Sequence, residues 1–435
     1  MSLKVSGALQ KINCPAKDIK NYRQFVPEVV DQVLHLAQPL QGLKIAHVNA
    51  TALGGGVAEM LRSVVPLQQS IGLDSNWYVI PPNDLFFEVT KNIHNFMQGA
   101  EGDLNEEMKK IYLDYNRHIA SLLAKIKADV LLIHDPQPAA ALSFLEARPK
   151  LALWRCHIDT SRPNPSVWKF LLPFLTAYDH HIFTLSDFTH QGLPADKLSF
   201  ITPVIDPLAE KNIPMEKERA KEYLKQFGIN PGKPLITQVS RFDPWKDPEG
   251  VIDAYRLAKK EFPDLQLAMV AQMATDDPEG AVIYNQVKDY AKNEEGIFLL
   301  VNLPENDLAV NAFQVASDII LQKSIREGFG LTVTEAMWKG AVMIGGNVGG
   351  IKLQIKDEQT GFLVNSSAEA AEKIIYILRN PKIKEKLSLS ACESVRARFL
   401  SPHNLLHYLN LFRQLLPMQT TKENTPLSLP ILPPS

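Results

Sequence analysis

Apolar residues along this chain fall into short runs that end in glycine, asparagine, aspartate or histidine and that alternate with longer amphipathic stretches. Short apolar runs bounded by turn residues are typical of buried strands, whereas apolar positions three or four residues apart are typical of helices. Strands that alternate with helices predict βαβ units and a parallel sheet. Because the alternation occurs twice, we predict an α/β fold with two doubly wound Rossmann-like domains that face each other across a cleft.

The pattern places elements in both halves of the chain. In the first half it predicts strands at 44–48, 77–80, 130–134, 151–155 and 181–185, and helices at 57–69, 105–128 and 167–177. In the second half it predicts strands at 235–239, 265–270, 298–301, 318–321 and 342–344, and helices at 248–261, 281–292, 307–316 and 331–339. Ligands of such sheets bind outside the carboxyl ends of the strands, so polar residues at those ends are the candidates for a site.

Three prolines mark the boundary between the predicted domains, since Pro203, Pro207 and Pro214 disfavour regular structure. We therefore predict an N-terminal domain at residues 1–205 and a C-terminal domain at residues 206–401. The last helical segment, 402–416, is expected to cross back and brace the first domain. The tail at 417–435 has too little apolar pattern to fold and is expected to be disordered.

Composition is that of an ordinary soluble protein, with 435 residues, of which 45% are hydrophobic and 22% charged. A net charge of −2 gives no broad attraction to nucleic acid or to an anionic membrane. Cys14, Cys156 and Cys392 are far apart and support neither a disulfide framework nor a zinc site. With no secretion signal and no stretch of roughly 18 apolar residues, a cytoplasmic location is expected.

The segment 326–337 combines two carboxylates with a glycine-hinged helix start. Seven residues separate Glu327 from Glu335, and Gly328 and Gly330 precede the predicted helix. Glycine lets the backbone approach a ligand, and the free amides of a helix N-terminus attract phosphate or sugar oxygens. One carboxylate would lie at the turn, in reach of a hexose, and the other further along the helix, in reach of a ribose diol. The alternative is a capped helix with two solvated acids.

A second glycine-rich turn follows the first predicted strand. Gly54, Gly55 and Gly56 open the next helix, and their amides could hold a diphosphate oxygen or a sugar hydroxyl. The spacing is neither the GxGxxG fingerprint of dinucleotide-binding proteins nor a Walker loop, which disfavours oxidoreductases and NTPases. The alternative is a tight turn without a ligand.

Polar clusters follow two neighbouring predicted strands in the first half. His134, Asp135 and Gln137 lie at one strand end, and His157 lies at the next. Either histidine alone would be explained as a hydrogen-bonded residue at the edge of the core. Two such clusters at neighbouring strand ends favour a polar pocket.

Two cations follow the first predicted strand of the second half. Arg241 and Lys246 are five residues apart and could neutralise a leaving diphosphate, Arg through a fork of donors and Lys as a point charge. Ion pairs with Asp243 or Asp247 on the surface are the alternative. Further on, the glycines of 345–350 predict either another ligand-approaching loop or a flexible link.

Several long motifs in one order resemble those of the trehalose synthases of the glycosyltransferring type, a family of retaining, family-4-like glycosyltransferases with the glycosyltransferase-B fold. The motifs are HVNATALGGGVAEML, IHDPQPAA, LWRCHIDTSRPN, ITQVSRFDPWKDP, MATDDPEG and SIREGFGLTVTEAMWKG. They run from about residue 45 to 350, and lesser similarity covers most of the chain up to the tail. The resemblance implies transfer of glucose from a nucleoside diphosphate glucose, UDP- or ADP-glucose, to free glucose, which forms trehalose.

The resemblance also implies roles for the donor-side residues. Glu335 would bind the nucleotide ribose, Glu327 would bind hydroxyls of the donor glucose, and Arg241 and Lys246 would hold the diphosphate. The remaining donor-side residues would contribute backbone amides or close over the ligand, and they are Gly54, Gly55, Gly56, Gly328, Phe329, Gly330 and Leu331.

On the acceptor side, the resemblance places His157 beside the anomeric carbon, where it would act through its backbone carbonyl as well as its ring. Asp135 and Gln137 would bind the acceptor glucose. Retention of configuration without an obvious nucleophile suggests front-face attack, in which the leaving phosphate oxygen takes the acceptor proton.

The implied chemistry requires no cofactor and no divalent metal such as Mg²⁺, because Arg, Lys and helix-end amides would stabilise the charge that develops on the leaving diphosphate. The acidic pair Asp276 and Asp277 is not assigned as a metal motif. Expected partners are small-molecule substrates, namely the nucleoside diphosphate glucose, glucose and trehalose, with no nucleic acid and no membrane. Self-association as a homodimer is left open.

Two rival functions fit the same residues. A trehalose phosphorylase would use phosphate and glucose 1-phosphate in place of the nucleotide, which would leave Glu335 without a ribose partner. A non-catalytic sugar-nucleotide-binding protein would keep its biological role after substitution of Arg241 or Lys246, whereas the same substitutions should abolish turnover in a glycosyltransferase. The nucleobase and the physiological direction are not encoded in these residues, and Arg62 or another nearby base could accept the phosphate of glucose 6-phosphate.

Overall fold

The computed structural model describes residues 7–53, 55–272 and 278–416. Gly54, the acidic pair Asp276 and Asp277, and the tail at 417–435 lie outside the described residues. Within the described ranges the strands form two sheets, one of seven strands and one of six.

The first sheet is built by the N-terminal half. Its strands are β1 (Gln10–Ile12), β2 (Lys44–Asn49), β3 (Asp74–Val79), β4 (Val130–His134), β5 (Leu151–Arg155), β6 (His180–Phe183) and β7 (Leu198–Phe200). They lie in the order β1-β3-β2-β4-β5-β6-β7, and all neighbours are parallel except the edge pair β1 and β3. Strands β4 and β5 are buried along their whole length, as expected for the centre of a sheet covered on both faces.

The second sheet is built by the C-terminal half and is parallel throughout. Its strands are β8 (Leu235–Val239), β9 (Gln266–Ala271), β10 (Ile297–Val301), β11 (Ile319–Gln322), β12 (Met343–Gly346) and β13 (Phe362–Val364). The order is β10-β9-β8-β11-β12-β13, so the winding reverses between β8 and β11. Loops that follow the strands on either side of such a reversal diverge and leave a crevice for a ligand.

Helices cover both sheets. Those of the N-terminal half are α1 (Pro27–Ala37), α2 (Gly56–Ser70), α3 (Asp84–Met97), α4 (Glu106–Leu123) and α5 (Pro165–Leu175). Those that follow are α6 (Lys217–Leu224), α7 (Pro248–Lys259), α8 (Pro278–Ala291), α9 (Asn306–Ala316), α10 (Leu331–Trp338), α11 (Gly349–Gln354), α12 (Ser367–Arg379), α13 (Pro381–Arg398) and α14 (Ser401–Leu415).

The last helix, α14, lies against the N-terminal half of the chain. Asn404 Nδ2 donates to the carbonyl of Thr202 over 3.0 Å, and Ser401 Oγ lies 3.1 Å from Ser63 Oγ in α2. Tyr408 is buried in a hydrophobic cluster that also contains core residues of α1. The contacts of α14 show that it packs against the N-terminal half of the chain. The domain limits at 205 and 206 stay a prediction.

The predicted α/β class with two doubly wound sheets is confirmed. Strands β1, β7 and β13 were not predicted, because three residues are too few to show a period. Helices α1, α3 and α11 were also missed. The helix predicted at 105–128 is α4, which ends at Leu123. The prediction was too long because the amphipathic pattern continues into the turn that leads to β4.

Candidate active site

The loops that follow β5 and β11 meet across the cleft between the two sheets. A Cβ atom added to Gly328 would lie 2.5 Å from the carbonyl oxygen of His157, and one added to Gly56 would lie 3.2 Å from Leu331 Cδ1. Any side chain at position 328 would push the loops apart, so this close approach requires glycine. The structure therefore brings His157, the glycine turn before α2 and the start of α10 into one region.

Lys246 and Glu327, both predicted for the donor side, form an ion pair. Lys246 Nζ lies 2.5 Å from Glu327 Oε2, and the side chains are 18% and 9% exposed. Ser324 Oγ donates to the same carboxylate oxygen over 3.2 Å. Because the pair is largely shielded from water, its interaction is stronger than that of a surface pair.

Arg241 lies in the loop after β8, which also carries Lys246, and its side chain is partly exposed. Its Nη2 atom is 3.6 Å from Asp243 Oδ2, and the side chain is 45% exposed. Asp243 Oδ1 in turn accepts from the Trp245 amide over 2.9 Å, which fixes the loop. An exposed ion pair of this kind contributes little to stability. Asp247, the other suggested surface partner, pairs with Lys323 instead.

The start of α10 presents backbone amides to the cleft region. Gly330 caps the helix with φ 79°, a left-handed conformation that favours glycine. In the part of the chain that the structure describes, the amides of residues 328–331 donate to no backbone or side-chain acceptor. The ring of Phe329 is buried against Phe399, so Phe329 can contribute only its backbone to a ligand. Free amides at a helix N-terminus suit an anion.

The glycines at the end of β12 and the start of α11 support the Glu327 loop through close backbone approach. The Gly350 amide donates to the Glu327 carbonyl over 3.1 Å, and Gly349 has φ 41°. A Cβ atom added to Gly346 would lie 2.1 Å from the carbonyl oxygen of Ser324. These contacts favour a structural support over a flexible link.

The glycine turn before α2 is open on one side. Gly55 has φ 111°, and a Cβ atom added there would meet nothing within 4 Å. Arg62, considered as a phosphate ligand, donates from Nη2 to the carbonyl of Ala52 over 3.1 Å and so braces the turn. Gly54, predicted to close over the donor, lies outside the described residues.

Asp135, predicted for the acceptor, has a strained backbone. Its φ of 62° is uncommon for a residue with a side chain, and such strain clusters at functional sites. Its Oδ1 atom accepts from the His157 amide over 2.8 Å, and burial raises the pKa of Asp135 to about 7. The carbonyl of Gln137, two residues on, accepts from Asn116 Nδ2 over 3.1 Å, which fixes the backbone of the same turn.

His157 is the last of three histidines in a row. Its Nε2 atom lies 3.0 Å from His134 Nδ1, and His134 Nε2 lies 3.2 Å from His47 Nδ1. His47 Nε2 lies 2.9 Å from Gln68 Oε1. Burial lowers the pKa of His47 to about 4 and, with nearby positive charge, lowers the pKa values of His134 and His157 well below the ordinary value. All three rings are therefore neutral near pH 7.

Glu335 lies in a buried cluster of charges away from open solvent. The side chain is 1% exposed, and its Oε1 atom lies 2.6 Å from Lys211 Nζ. Lys211 also pairs with Glu59 of α2. Burial opposes ionisation of Glu335, but Lys211 and Lys339 hold the pKa of this carboxyl below its ordinary value. Burial and the charge of Glu335 raise the pKa of Glu59 to about 7. A ribose would have to compete with Lys211 for Glu335.

Several residues around the site were missed from the sequence, namely Lys211, Glu59, His47, Gln68 and Ser324. His47, Glu59 and Ser324 lie inside the quoted motifs, whereas Lys211 and Gln68 do not. In every case only the packing of the chain reveals the neighbours of the side chain. One signal was available for His47, which is a polar residue between the apolar residues Ala46 and Val48 in the buried part of strand β2.

The described ranges contain no group of three histidine, cysteine, aspartate or glutamate side chains arranged to hold a metal ion. Cys14, Cys156 and Cys392 are all free thiols. In those same ranges, no helix combines the length and the apolar character needed to cross a bilayer.

Known proteins resemble this chain along both halves. Residues 47–190 match the family described as trehalose synthase, N-terminal domain, and residues 219–393 match glycosyl transferases group 1. The trehalose synthase of Pyrococcus horikoshii is 44% identical over 402 residues, which cover 92% of this chain and 97% of that protein. The trehalose phosphorylase of Pleurotus pulmonarius is 30% identical over 401 residues, which cover 80% of this chain and 54% of that protein.

The same fold occurs in a solved structure of an α,α-trehalose-phosphate synthase (UDP-forming) from Burkholderia xenovorans in complex with glucose-6-phosphate. The TM-score is 0.69 at 13% identity, and the match covers 86% of this chain and 100% of that chain. At this identity the likeness shows the fold alone, which is the glycosyltransferase-B fold. The much higher identity along nearly the full length shows that this chain belongs to the trehalose synthase family of glycosyltransferases.

Proposed function

We propose that this chain transfers glucose from a nucleoside diphosphate glucose, UDP- or ADP-glucose, to free glucose with retention of configuration and so forms trehalose. The observation that supports this most strongly is the Lys246–Glu327 ion pair, which lies beside the free amides of α10 and opposite His157. A cation, a carboxylate and helix-end amides together suit a sugar diphosphate, because each matches a different part of that ligand.

The two halves of the chain divide the substrates in this proposal. Residues 206–401 bind the donor, and residues 1–205 with helix α14 bind the acceptor. In the structure the loops of the two halves touch at Gly328 and His157, so entry of a donor requires the cleft to open. Closure after binding would exclude water from the reacting atoms.

On the donor side, Lys246 keeps one hydrogen bond to Glu327 and has two further N–H donors for the diphosphate. Arg241 adds a fork of donors, and the amides of residues 328–331 meet the same phosphate and sugar. Glu327 accepts hydrogen bonds from hydroxyls of the donor glucose, and Glu335 accepts from the ribose after exchange with Lys211.

In the chemical step, the acceptor hydroxyl oxygen attacks the anomeric carbon on the face from which the diphosphate departs. The bond from this carbon to the phosphate oxygen breaks while the new carbon–oxygen bond forms, and the hydroxyl proton passes to the departing phosphate oxygen. Arg241, Lys246 and the amides stabilise the charge that develops on the leaving group, so we propose that no divalent metal is needed. The carbonyl oxygen of His157 stabilises the positive charge that develops on the sugar ring in the transition state.

On the acceptor side, Asp135 and Gln137 bind the glucose hydroxyls. The choice of free glucose over glucose 6-phosphate as acceptor rests on the resemblance to trehalose synthases. The hydrogen bond from the His157 amide to Asp135 couples the acceptor site to the reacting carbon.

Incubation with glucose and each of UDP-, ADP- and GDP-glucose, with and without EDTA, tests the proposal. We expect trehalose and an equal amount of the free nucleoside diphosphate, and we expect EDTA to change neither. Breakdown of trehalose that requires phosphate and no nucleotide would identify a phosphorylase instead. Tight binding of a nucleotide sugar without any turnover would identify a non-catalytic binding protein.

A further inference from the structure

Three histidine rings and one glutamine amide form a continuous row from the core of the first sheet to the cleft. The rings of His134 and His157 are 15° from parallel, and those of His47 and His134 are 25° from parallel. Gln68 and His47 are fully buried, and His134 is 1% exposed. The row thus connects a buried side chain of α2 to the cleft through hydrogen bonds of 2.9, 3.2 and 3.0 Å.

A neutral imidazole has one N–H donor and one acceptor nitrogen. Both hydrogen bonds between the rings can form only if all three rings carry the proton on the same nitrogen, either Nε2 throughout or Nδ1 throughout. Near neutral pH none of the rings gains a second proton, because burial disfavours the charged form. One group at the buried end of the row therefore decides the arrangement of the whole row.

That group is Gln68. Its Oε1 atom faces His47 Nε2 and also accepts from Ser75 Oγ over 2.6 Å. Within the described residues this orientation of the Gln68 amide leaves its buried Nε2 atom without a hydrogen-bond partner. With the amide in this orientation the carbonyl oxygen cannot donate, so His47 carries its proton on Nε2 and accepts through Nδ1 from His134. His134 must in turn accept through Nδ1 from His157 Nε2.

We infer that Gln68, acting through His47 and His134, fixes His157 as the Nε2–H tautomer and so presents the Nδ1 lone pair to the cleft. In the described part of the chain, Nδ1 of His157 has no hydrogen-bond partner. This inference rests on the proposed function for its ligand, which is a hexose hydroxyl group that donates to Nδ1. Gln68, His47 and His134 are then positioning residues for His157.

Long-range ¹H–¹⁵N NMR of wild-type protein labelled with ¹⁵N-histidine tests the tautomer directly. Signals are assigned by their loss in the His47→Gln, His134→Gln and His157→Gln variants. We expect the Nε2–H form for all three rings at about pH 7.5. An Nδ1–H form or an imidazolium at His157 would overturn the inference. This result needs no substrate, whereas failure of the proposed function would appear as absence of trehalose from the wild-type protein.

The Gln68→Met variant tests the role in turnover, because it keeps the length of the side chain and removes the acceptor. We expect a mixture of both tautomers at His157, a kcat lower by about tenfold and a KM within about twofold of wild type. Gln69→Met is the matched control, since Gln69 lies beside it in α2 and donates to the Ser75 carbonyl over 2.7 Å without touching the row. A folded Gln68→Met protein with unchanged tautomers and kcat would refute the positioning role, and the wild-type spectrum decides the matter if that variant does not fold.

Discussion

Lys246 Nζ lies 2.5 Å from Glu327 Oε2 although the two residues are 81 positions apart in the chain. The neighbouring strands β8 and β11 bring them together, since each residue lies in the loop that follows one of these strands at the reversal of the winding. The Ile325 amide donates to the Trp245 carbonyl over 2.9 Å and holds the two loops in register. The pair is therefore a fixed feature of the fold and not a chance surface contact.

Replacing Lys246 should remove most of the activity. For Lys246→Met we expect kcat to fall about 100- to 1000-fold, because the leaving diphosphate loses a preorganised positive charge. Release of the nucleoside diphosphate measures kcat. Lys233→Met is the matched control, because Lys233 pairs with Asp264 at 3.0 Å on the surface and should leave kcat unchanged. Equal losses in the two variants would contradict a specific role for Lys246.

The same change should destabilise the fold, because Glu327 would remain buried without its cation. Loss of one partner of a buried pair costs roughly 3–5 kcal/mol in the free energy of unfolding. The double variant Lys246→Met/Glu327→Gln should recover most of that stability and none of the activity. Recovery of activity along with stability would show that Lys246 acts only through folding.

Lys211 should contribute strongly to the free energy of unfolding, because it joins Glu59 of the N-terminal half to Glu335 of the C-terminal half. In Lys211→Met, the buried Glu335 carboxylate would lose the cation that it shares with Glu59, at a cost of about 3–5 kcal/mol in the free energy of unfolding. Urea denaturation measures the loss. Adding Glu59→Gln should restore part of it, since the repulsion is removed. A Lys211→Met protein as stable as wild type would contradict the ion cluster.

Asp135 should control binding of the acceptor. We expect Asp135→Asn to raise the KM for glucose by about 10- to 100-fold and to leave the KM for the nucleotide sugar within about twofold. Burial raises the pKa of Asp135 to about 7, so the carboxylate loses its charge as the pH falls through that value. In wild type the KM for glucose should therefore rise from about pH 8 to about pH 6, whereas the variant should show a flat profile. Parallel profiles would refute this assignment.

Acid should destabilise the protein through its buried neutral histidines. The pKa of His47 is about 4 in the folded state, below the roughly 6.5 of the unfolded chain, so acid protonates the unfolded state first. Stability is fully present above about pH 6.5 and is lost as the pH falls toward 4. Relative to His47→Gln, which keeps hydrogen-bonding atoms and does not titrate, wild type should lose roughly 2 kcal/mol between about pH 7.5 and about pH 5. Denaturant curves at both pH values measure the difference, and an equal change in both proteins would contradict it.

Among the residues predicted for the site, the structure brings together those in loops that follow a strand, because the carboxyl ends of parallel strands share one edge of a sheet. Lys246, Glu327, Asp135 and His157 are of this kind. Gln68 could not be predicted, since its contact with His47 depends on how α2 packs on β2, across 21 residues of chain.

The surroundings of Glu335 were also beyond sequence reasoning. The position of Glu335 along α10 suggested that its carboxylate could reach a ribose. Its ion-pair partner, Lys211, comes from the proline-rich connection between the sheets, where the pattern predicted only irregular structure. An ion pair between a helix and an irregular connection leaves no local signal in the sequence.

The reaction of [1-¹³C]glucose with unlabelled nucleoside diphosphate glucose, followed by ¹³C NMR, tests the proposed activity most directly. We expect one labelled anomeric carbon in an α,α-1,1-linked disaccharide, with one nucleoside diphosphate released for each disaccharide formed. Recovery of the label only in free glucose, while the nucleotide sugar remains intact, would contradict the proposed transfer.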